Sequence, residues 1–199
     1  PGALFLSSHC DSVQAALLVE LGRWTEAEEV IQQARARFES ALGMPSYHGD
    51  IALADLRIRQ GRFTEAEALL LGKEQAVDAL LPLARLHLAR GDHALARTIA
   101  ERGLRAVRDD RLRAVALLVV LVDACLALGD LEGAHRACAD IAERLGEVDV
   151  PALRARSAIA QARASAVDDL GRAIALLEQE LAAVDAESLP WVRVGLHLE

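Results

Sequence analysis

The chain has 199 residues, of which 26% are charged and only 3% aromatic, and its formal net charge is −8. This length suffices for one domain with a real core, and the alanine-, leucine-, arginine- and glutamate-rich composition favours helix. The acidic balance argues against direct contact with nucleic-acid phosphates, and the longest apolar run, residues 114–122, is too short to span a bilayer.

The cysteines and the chain ends bear on compartment and completeness. Cys10, Cys125 and Cys138 are an odd set without a Cys-x-x-Cys pair, which favours a reducing compartment over a disulfide scaffold. Because no N-terminal signal pattern is visible either, we expect a cytoplasmic protein. The chain starts at Pro1 and ends at Glu199 within a helical pattern, so we expect it to be part of a longer protein.

A short phrase recurs along the chain. Its skeleton is a glycine, a bulky residue two positions later and an alanine five positions later. The phrase begins at Gly22, Gly61, Gly91 and Gly129, at intervals of 39, 30 and 38 residues, and a weaker fifth copy has Asp168 in place of the glycine. Such a period indicates a repeat architecture.

Each copy of the phrase predicts the tight turn of a helix hairpin. A glycine in the left-handed conformation ends the first helix, called A, without a Cβ penalty. The alanine lies one turn into the second helix, called B, and allows close approach, while the bulky residue is expected to fill the base of the hairpin. The B helices have predicted caps of two kinds: the capping boxes Thr25–Glu28 and Thr64–Glu67, and the aspartates Asp92 and Asp130.

In chain order, the apolar spacing predicts A and B helices in alternation. They span residues 8–21, 25–41, 48–60, 64–71, 78–90, 93–107, 111–128, 131–145, 152–166 and 168–184. Pro82 either lies in the first turns of the third A helix or kinks it. The fourth A helix is the most apolar and is expected to be buried on both sides, and a sixth A helix is predicted to begin at Pro190.

We therefore predict a single domain over residues 1–199, an all-α, right-handed α-α superhelix of about five helix hairpins. A hairpin alone leaves apolar faces that its neighbours must cover. Because the sixth A helix is cut short, we expect an exposed apolar patch near the C-terminus, and a homodimer formed end to end through Trp191 would be one result.

The glycine, the alanine five positions later and the helical spacing around them resemble the tetratricopeptide repeat. The phrases at residues 20–27, 55–66, 86–91 and 121–130 are similar to the helical-repeat region of MalT-like and LuxR-type bacterial regulators, whose period is longer than the roughly 34 residues of the standard repeat. The resemblance implies a tetratricopeptide-like solenoid with DNA binding outside these residues. Two departures are the missing Trp and Tyr of helix A and the lack of a basic recognition helix.

The resemblance also implies a concave groove, lined by A helices, that binds a protein or peptide partner or a small effector. When the offsets of the family's groove residues from the motif glycine are applied to this chain, the groove positions are His48, Asp55, Arg59, Asp78, Arg85 and Asp123. Asp123 interrupts an otherwise apolar helix, where a carboxylate needs a partner or water. We hypothesise that Asp55, Arg59, Arg85 and Asp123 form a charged groove surface; structural ion pairs or a solvated face are the alternative.

No catalytic, cofactor or metal site is predicted. His9, Cys10 and Asp11 are adjacent on a helix and point about 100° apart, so they cannot converge. Cys125 and Cys138 are expected to face each other within one hairpin, either as packed thiols or as a redox pair. We find no metal-ligand spacing, no phosphate-binding glycine loop and no activated nucleophile in the sequence, so we expect a protein that is not an enzyme.

Two functions remain open. The first is a protein-interaction or effector-sensing module of a LuxR-type transcriptional regulator, with no direct contact to nucleic acid or membrane by these residues. The alternative is a general tetratricopeptide-like adaptor or scaffold that binds a peptide or protein. A basic helix-turn-helix encoded after Glu199 would favour the regulator, whereas a stop codon or further repeats would favour the adaptor.

Overall fold

The computed structural model describes residues 2–43, 46–108, 110–146 and 151–183, and every regular element in these ranges is an α-helix. The helices are α1 (Gly2–Glu20), α2 (Trp24–Leu42), α3 (Tyr47–Arg59), α4 (Phe63–Leu70), α5 (Val77–Ala89), α6 (His93–Ala106), α7 (Arg111–Ala127), α8 (Leu131–Leu145), α9 (Pro151–Ala166) and α10 (Leu170–Ala183). Odd-numbered helices are the predicted A helices and even-numbered helices the B helices. The predicted all-α repeat of helix hairpins is confirmed.

Most helix ends fall within two residues of their predicted positions. The exception is α1, which begins at Gly2 rather than at residue 8, because no proline or further glycine interrupts the apolar run that follows Gly2. Pro82 lies within α5, in its second turn. This position agrees with the predicted alternative in which the proline lies in the first turns of the third A helix. The sixth A helix predicted at Pro190 lies outside the described residues, as does Trp191.

The glycine turns have the predicted left-handed geometry. Gly22, Gly61, Gly91 and Gly129 have φ angles of 72°, 74°, 85° and 73°. In each turn the glycine N–H donates to the carbonyl three residues back, and the next N–H donates to the carbonyl five residues back, at 2.8–2.9 Å in the latter case. This is the Schellman pattern of a helix C-terminus. The fifth turn differs, because the N–H groups of residues 168 and 169 both donate to the carbonyl of Ser165.

The motif alanines are buried at the interface of each hairpin, as predicted. All five, Ala27, Ala66, Ala96, Ala134 and Ala173, are at most 3% exposed. The bulky residues behave less uniformly. Three of them, Phe63, His93 and Leu131, are half-buried, and Trp24 is 38% exposed.

The predicted capping box at Thr25 and Glu28 does not form. The N-cap of α2 is Arg23, two residues earlier than the box requires, and no side chain caps the helix. The Arg23 guanidinium instead pairs with Glu26 in the first turn. The cause is the Schellman turn, which brings the chain into helical geometry directly after the arginine and leaves Thr25 inside the helix.

The first turn of α4 repeats this arrangement. Arg62 is the N-cap residue, no side chain caps the helix, and both ends of the Arg62 guanidinium bond to Glu65 at 2.6 Å. The predicted box of Thr64 and Glu67 is therefore wrong for the same reason. The sequence Gly-Arg-aromatic-Thr-Glu-Ala occurs at both turns, and in each of them the arginine pairs with the glutamate three residues later.

The two aspartate caps have different outcomes. The Asp130 carboxylate accepts a hydrogen bond from the Gly133 N–H at 2.8 Å, so it caps α8 as predicted. Asp92 makes no cap bond to α6; its carboxylate lies 3.3 Å from Nδ1 of His87, and this prediction is wrong.

The chain divides into two compact units, residues 1–82 and 83–199, with the boundary inside α5. The core of the first unit joins α1, α2 and α3 through residues such as Leu18, Ile31 and Leu56. The core of the second joins α7, α8 and α9, and α7 is buried along most of its length, as predicted for the fourth A helix. The single domain over residues 1–199 stays a prediction.

Apolar side chains are exposed on the last described helix. Leu170 and Ile174 on α10 are 64% and 47% exposed, in line with the apolar patch expected near the C-terminus. The homodimer expected through Trp191 concerns a residue outside the described ranges and stays a prediction.

Candidate functional site

Helix α3 leaves one narrow stripe open to solvent. His48, Ala52, Asp55 and Arg59 are half-buried, while every other residue from 49 to 58 is buried. The reason is that α3 contacts α1, α2 and α4, which cover the remaining faces of the helix. Three of the six predicted groove residues lie on this stripe.

Helix α7 in the second unit has a similar stripe. Ala116, Val119, Asp123 and Leu126 are half-buried at helical spacing, and most other residues between 114 and 125 are buried. Helices α6, α8 and α9 contact α7 and cover the rest of it. Asp123 is the charged residue of an otherwise apolar stripe.

The B helices are covered differently. On α8, the accessible positions form a broad face that includes Glu132, Arg136, Asp140 and Glu143. Narrow accessible stripes thus occur on A helices, and α5 has one as well as α3 and α7. The remaining predicted groove residues, Asp78 and Arg85 on α5, are also half-buried.

In the first unit the predicted groove residues contact one another. Nδ1 of His48 lies 3.7 Å from Oδ2 of Asp78, so the start of α3 meets the start of α5. One turn from the end of α3, Arg59 Nε donates to Asp55 Oδ2 at 3.2 Å. The structure therefore brings these four residues together as two pairs.

Tyr47 extends this cluster and was missed in the sequence. Its ring packs edge-on against His48, with 5.2 Å between the ring centroids. Burial, and next the charge of Asp78, raises the pKa of the Tyr47 phenol, so Tyr47 offers a neutral hydroxyl beside an acidic group. The available signal was an aromatic residue directly before a predicted groove histidine at the start of an A helix.

In the second unit, Asp123 has the partner that its position requires. Arg163 on α9 donates to Asp123 Oδ1 at 3.0 Å. The hypothesis that Asp55, Arg59, Arg85 and Asp123 share one charged surface spans both units and stays a prediction.

Asp50 is a further charged residue that sequence reasoning missed. Its side chain is 8% exposed, and it accepts a hydrogen bond from Arg35 Nε at 2.9 Å and lies 3.3 Å from Lys73 Nζ. These contacts join α2, α3 and the turn after α4. Since all three groups are engaged with one another, their role is to fix the packing of the first two hairpins rather than to bind a ligand.

The cysteines of the second unit are suited to packing rather than to redox chemistry. Cys125 belongs to the core of α7, α8 and α9, and the half-buried Cys138 packs against that core. Burial raises the pKa of both thiols, that of Cys138 to about 11, so neither is a thiolate at neutral pH. Among the described residues no group of His, Cys, Asp and Glu is arranged to hold a metal ion. The side chain of His9 lies outside the description.

Within the described ranges, no helix is both long enough and apolar enough to cross a membrane.

Comparison with known families reproduces the hairpin pattern. A family model described as tetratricopeptide repeat matches residues 8–33, 47–71, 77–102 and 115–140, which together make up just over half of the chain. Each matched segment begins on an A helix and ends on the following B helix or, at residue 71, directly after it. The α9–α10 hairpin, whose turn lacks the glycine, is not matched. No curated protein and no solved structure matches the chain.

Proposed function

The chain belongs to the tetratricopeptide repeat family, and from this premise we propose that it is a protein-interaction module that binds a peptide or protein partner on the accessible stripes of its A helices. The observation that carries the proposal is the stripe on α3, where the only accessible residues between 48 and 59 are His48, Ala52, Asp55 and Arg59. A scaffold that buries all other faces of a helix leaves that stripe as the surface available for recognition.

The chemistry of the stripes favours a partner that carries charge together with small apolar side chains. Asp55 and Arg59 form one ion pair and Asp123 and Arg163 another, and both pairs are only partly buried. Half-buried pairs of this kind exchange partners at low cost, because each group already retains contact with water. Ala52 and Val119 provide shallow apolar contact beside the charges.

The narrower hypothesis is that the module senses an effector or partner on behalf of a LuxR-type transcriptional regulator. Its support is the sequence resemblance of the repeat phrases, and the gene beyond Glu199 discriminates it from a general adaptor. We also propose, from family membership, a role without catalysis. The cytoplasmic location and the homodimer stay predictions of the same kind.

Site-directed crosslinking tests the proposal. Peptides that bind the chain are first selected from a displayed library of random peptides. A benzophenone group is then attached at Ala52→Cys, on the α3 stripe, or at Ala68→Cys, on the exposed face of α4, in each case with Cys10→Ser to remove the exposed thiol. We expect the selected peptides to crosslink from position 52.

The control position makes the result decisive. Crosslinking from position 52 that excess unlabelled peptide suppresses, with none from position 68, supports binding on the A-helix stripe. Crosslinking from position 68 alone, or a failure to select any binding peptide, contradicts the proposal.

A further inference from the structure

A cavity of about 280 Å³ lies in the second unit between α8, α9 and α10. Much of its wall consists of alanines, Ala139 and Ala142 from α8 and Ala164 from α9, with Leu176 of α10 beside them. Because these side chains are short, three helices that pack in the ordinary way leave room between them. The volume is near the lower end for small-molecule sites, which span about 300–1,000 Å³.

Polar side chains from all three helices also line this cavity. They are His135 of α8, Gln161 and Ser165 of α9, and Arg172 of α10. His135 Nε2 lies 3.3 Å from Asp168 Oδ2. In the part of the chain that the structure describes, the side chains of Gln161, Ser165 and Arg172 have no hydrogen-bonding or ion-pair partner.

Arg172 is the arginine that lines this cavity. The two aspartates nearest in sequence are engaged elsewhere. Asp168 is held by His135, and Asp169 accepts a hydrogen bond from the backbone N–H of Arg172 itself, at 3.0 Å. Neither aspartate pairs with the Arg172 guanidinium, which leaves a cation in the lining of a concave, partly apolar space.

We propose that this cavity binds an aliphatic carboxylate. A guanidinium presents N–H donors in the fork geometry that a carboxylate accepts, and it has no acceptor of its own. Ser165 and Gln161 supply further donors on a second wall, while the alanines and Leu176 accommodate a short hydrocarbon chain. The site is separate from the A-helix stripes, so it stands or falls independently of the proposed peptide-binding function.

Two sources share this chemistry. One is a free short-chain carboxylic acid, and the other is the C-terminal carboxylate of a polypeptide that ends in an aliphatic residue. Both present one carboxylate on a short apolar group, and they differ in whether a peptide backbone leads out of the cavity mouth.

The test follows backbone amide signals of the whole chain by ¹H–¹⁵N NMR during titration. The probes are butyrate, acetyl-alanyl-leucine with a free carboxyl group, and the same dipeptide as its amide. We expect saturable shifts of signals from α8, α9 and α10 with butyrate, with the free dipeptide, or with both, and no saturable shifts with the amide. Which of the two acids binds more tightly identifies the source.

Two variants and two matched controls decide whether the cavity is responsible. Arg172→Gln removes the cation, and Ala139→Leu fills the cavity from an exposed helix position. Arg136→Gln and Ala175→Leu make the same changes at exposed positions that do not line the cavity. We expect each cavity variant to weaken binding roughly tenfold or more, as loss of a charge-assisted hydrogen bond or of the binding volume predicts, and the controls to bind like the original chain.

Other outcomes overturn the proposal. If neither acid produces saturable shifts, the cavity is not a carboxylate site. If the amide binds as well as the acid, or if Arg172→Gln and Ala139→Leu weaken binding no more than their controls, the recognition does not involve this cavity and its guanidinium.

Discussion

Arg57 on α3 and Glu28 on α2 form a two-pronged ion pair that joins the first two hairpins. Arg57 Nη1 donates to Glu28 Oε2 at 2.8 Å, and Nη2 bonds to the other carboxylate oxygen. Arg57 is only 4% exposed. The hydrogen bonds from Arg57, and next the charge of its guanidinium, hold the pKa of Glu28 below its usual range. A buried cation is thus held mainly by one carboxylate from a neighbouring hairpin.

Glu28→Gln should destabilise the chain, because it leaves the buried Arg57 without its main counter-charge. Gln60 and Glu65 remain nearby and limit the loss, which we expect to be about 2 kcal/mol in the free energy of unfolding. Urea denaturation followed by circular dichroism measures it. Glu26→Gln is the matched control, since Glu26 pairs with Arg23 at a solvent-exposed site two residues away, where ion pairs contribute little. Equal effects of the two substitutions would contradict this account.

Asp50→Asn tests the second inter-hairpin link. The substitution removes the charge that faces both Arg35 and Lys73, and we expect it to cost about 3 kcal/mol of unfolding free energy, as for other disrupted buried ion pairs. The same change at Asp140, an exposed position on α8, should leave stability unchanged. A stability loss at Asp50 no greater than at Asp140 would show that the link contributes nothing.

Gly61→Ala tests the geometry of the repeat turns. A Cβ at this position would meet no atom within 4 Å, so the cost comes from the backbone, whose φ of 74° is left-handed. We expect a loss of about 1 kcal/mol in thermal or chemical denaturation. Gly171→Ala is the control, because Gly171 lies in the first turn of α10 without a positive φ; it should be neutral or stabilise by about 0.5 kcal/mol. The opposite order would contradict the left-handed turn.

Asp130 should make stability depend on pH in the acidic range. The Gly133 N–H bond, and next the bond from Arg97, lowers the pKa of Asp130 in the folded chain. The stabilisation is therefore complete above the unfolded-state pKa, about 3.9, and is lost as the pH falls through the lower folded-state value.

Comparison with Asp130→Asn isolates this effect. Asparagine retains helix-capping ability but not the charge. We expect the melting temperature of the variant to lie below that of the original chain at pH 7, with the difference shrinking below about pH 4. A difference in melting temperature that stays constant from pH 7 to pH 3 would contradict the claim that the negative charge of Asp130 stabilises the fold.

The three cysteines should differ in reactivity. Cys10 is exposed, whereas burial raises the pKa of the Cys125 and Cys138 thiols and keeps them protonated. Reaction with a chromogenic disulfide reagent at pH 8 should show one fast thiol, and Cys10→Ser should abolish the fast phase. The other two thiols should react only after unfolding. A fast reaction of Cys138 in the Cys10→Ser chain would revive the redox-pair hypothesis.

The local turn geometry could be predicted from the sequence, and the contacts between hairpins could not. The motif glycines and alanines follow from steric rules that act within a few residues, and the structure places them as expected. The capping boxes failed at Thr25 and Thr64 because their spacing permits more than one helix start, and the preceding Schellman turn selects the earlier one. Arg57 and Glu28 are 29 residues apart, so their pairing depends on how the hairpins pack.

The candidate site shows the same division. Helical periodicity places His48, Asp55 and Arg59 on one side of α3, and all three are half-buried, whereas most of the remaining helix is buried. The pairing of Asp123 with Arg163, 40 residues away, and the cavity beside Arg172 depend on the packing of three helices. No spacing rule within one helix contains that information.

The most direct test of the central claim is the dissociation constant of a library-selected peptide for chains with reversed charges. Arg59→Glu and Asp123→Lys change the A-helix stripes, and Arg136→Glu changes the exposed face of α8 as a control. If the stripes bind the partner, at least one stripe reversal should weaken binding by roughly tenfold or more while the control stays unchanged. Binding that is weakened by Arg136→Glu but unaffected by both stripe reversals would place the interaction surface elsewhere and contradict the proposed function.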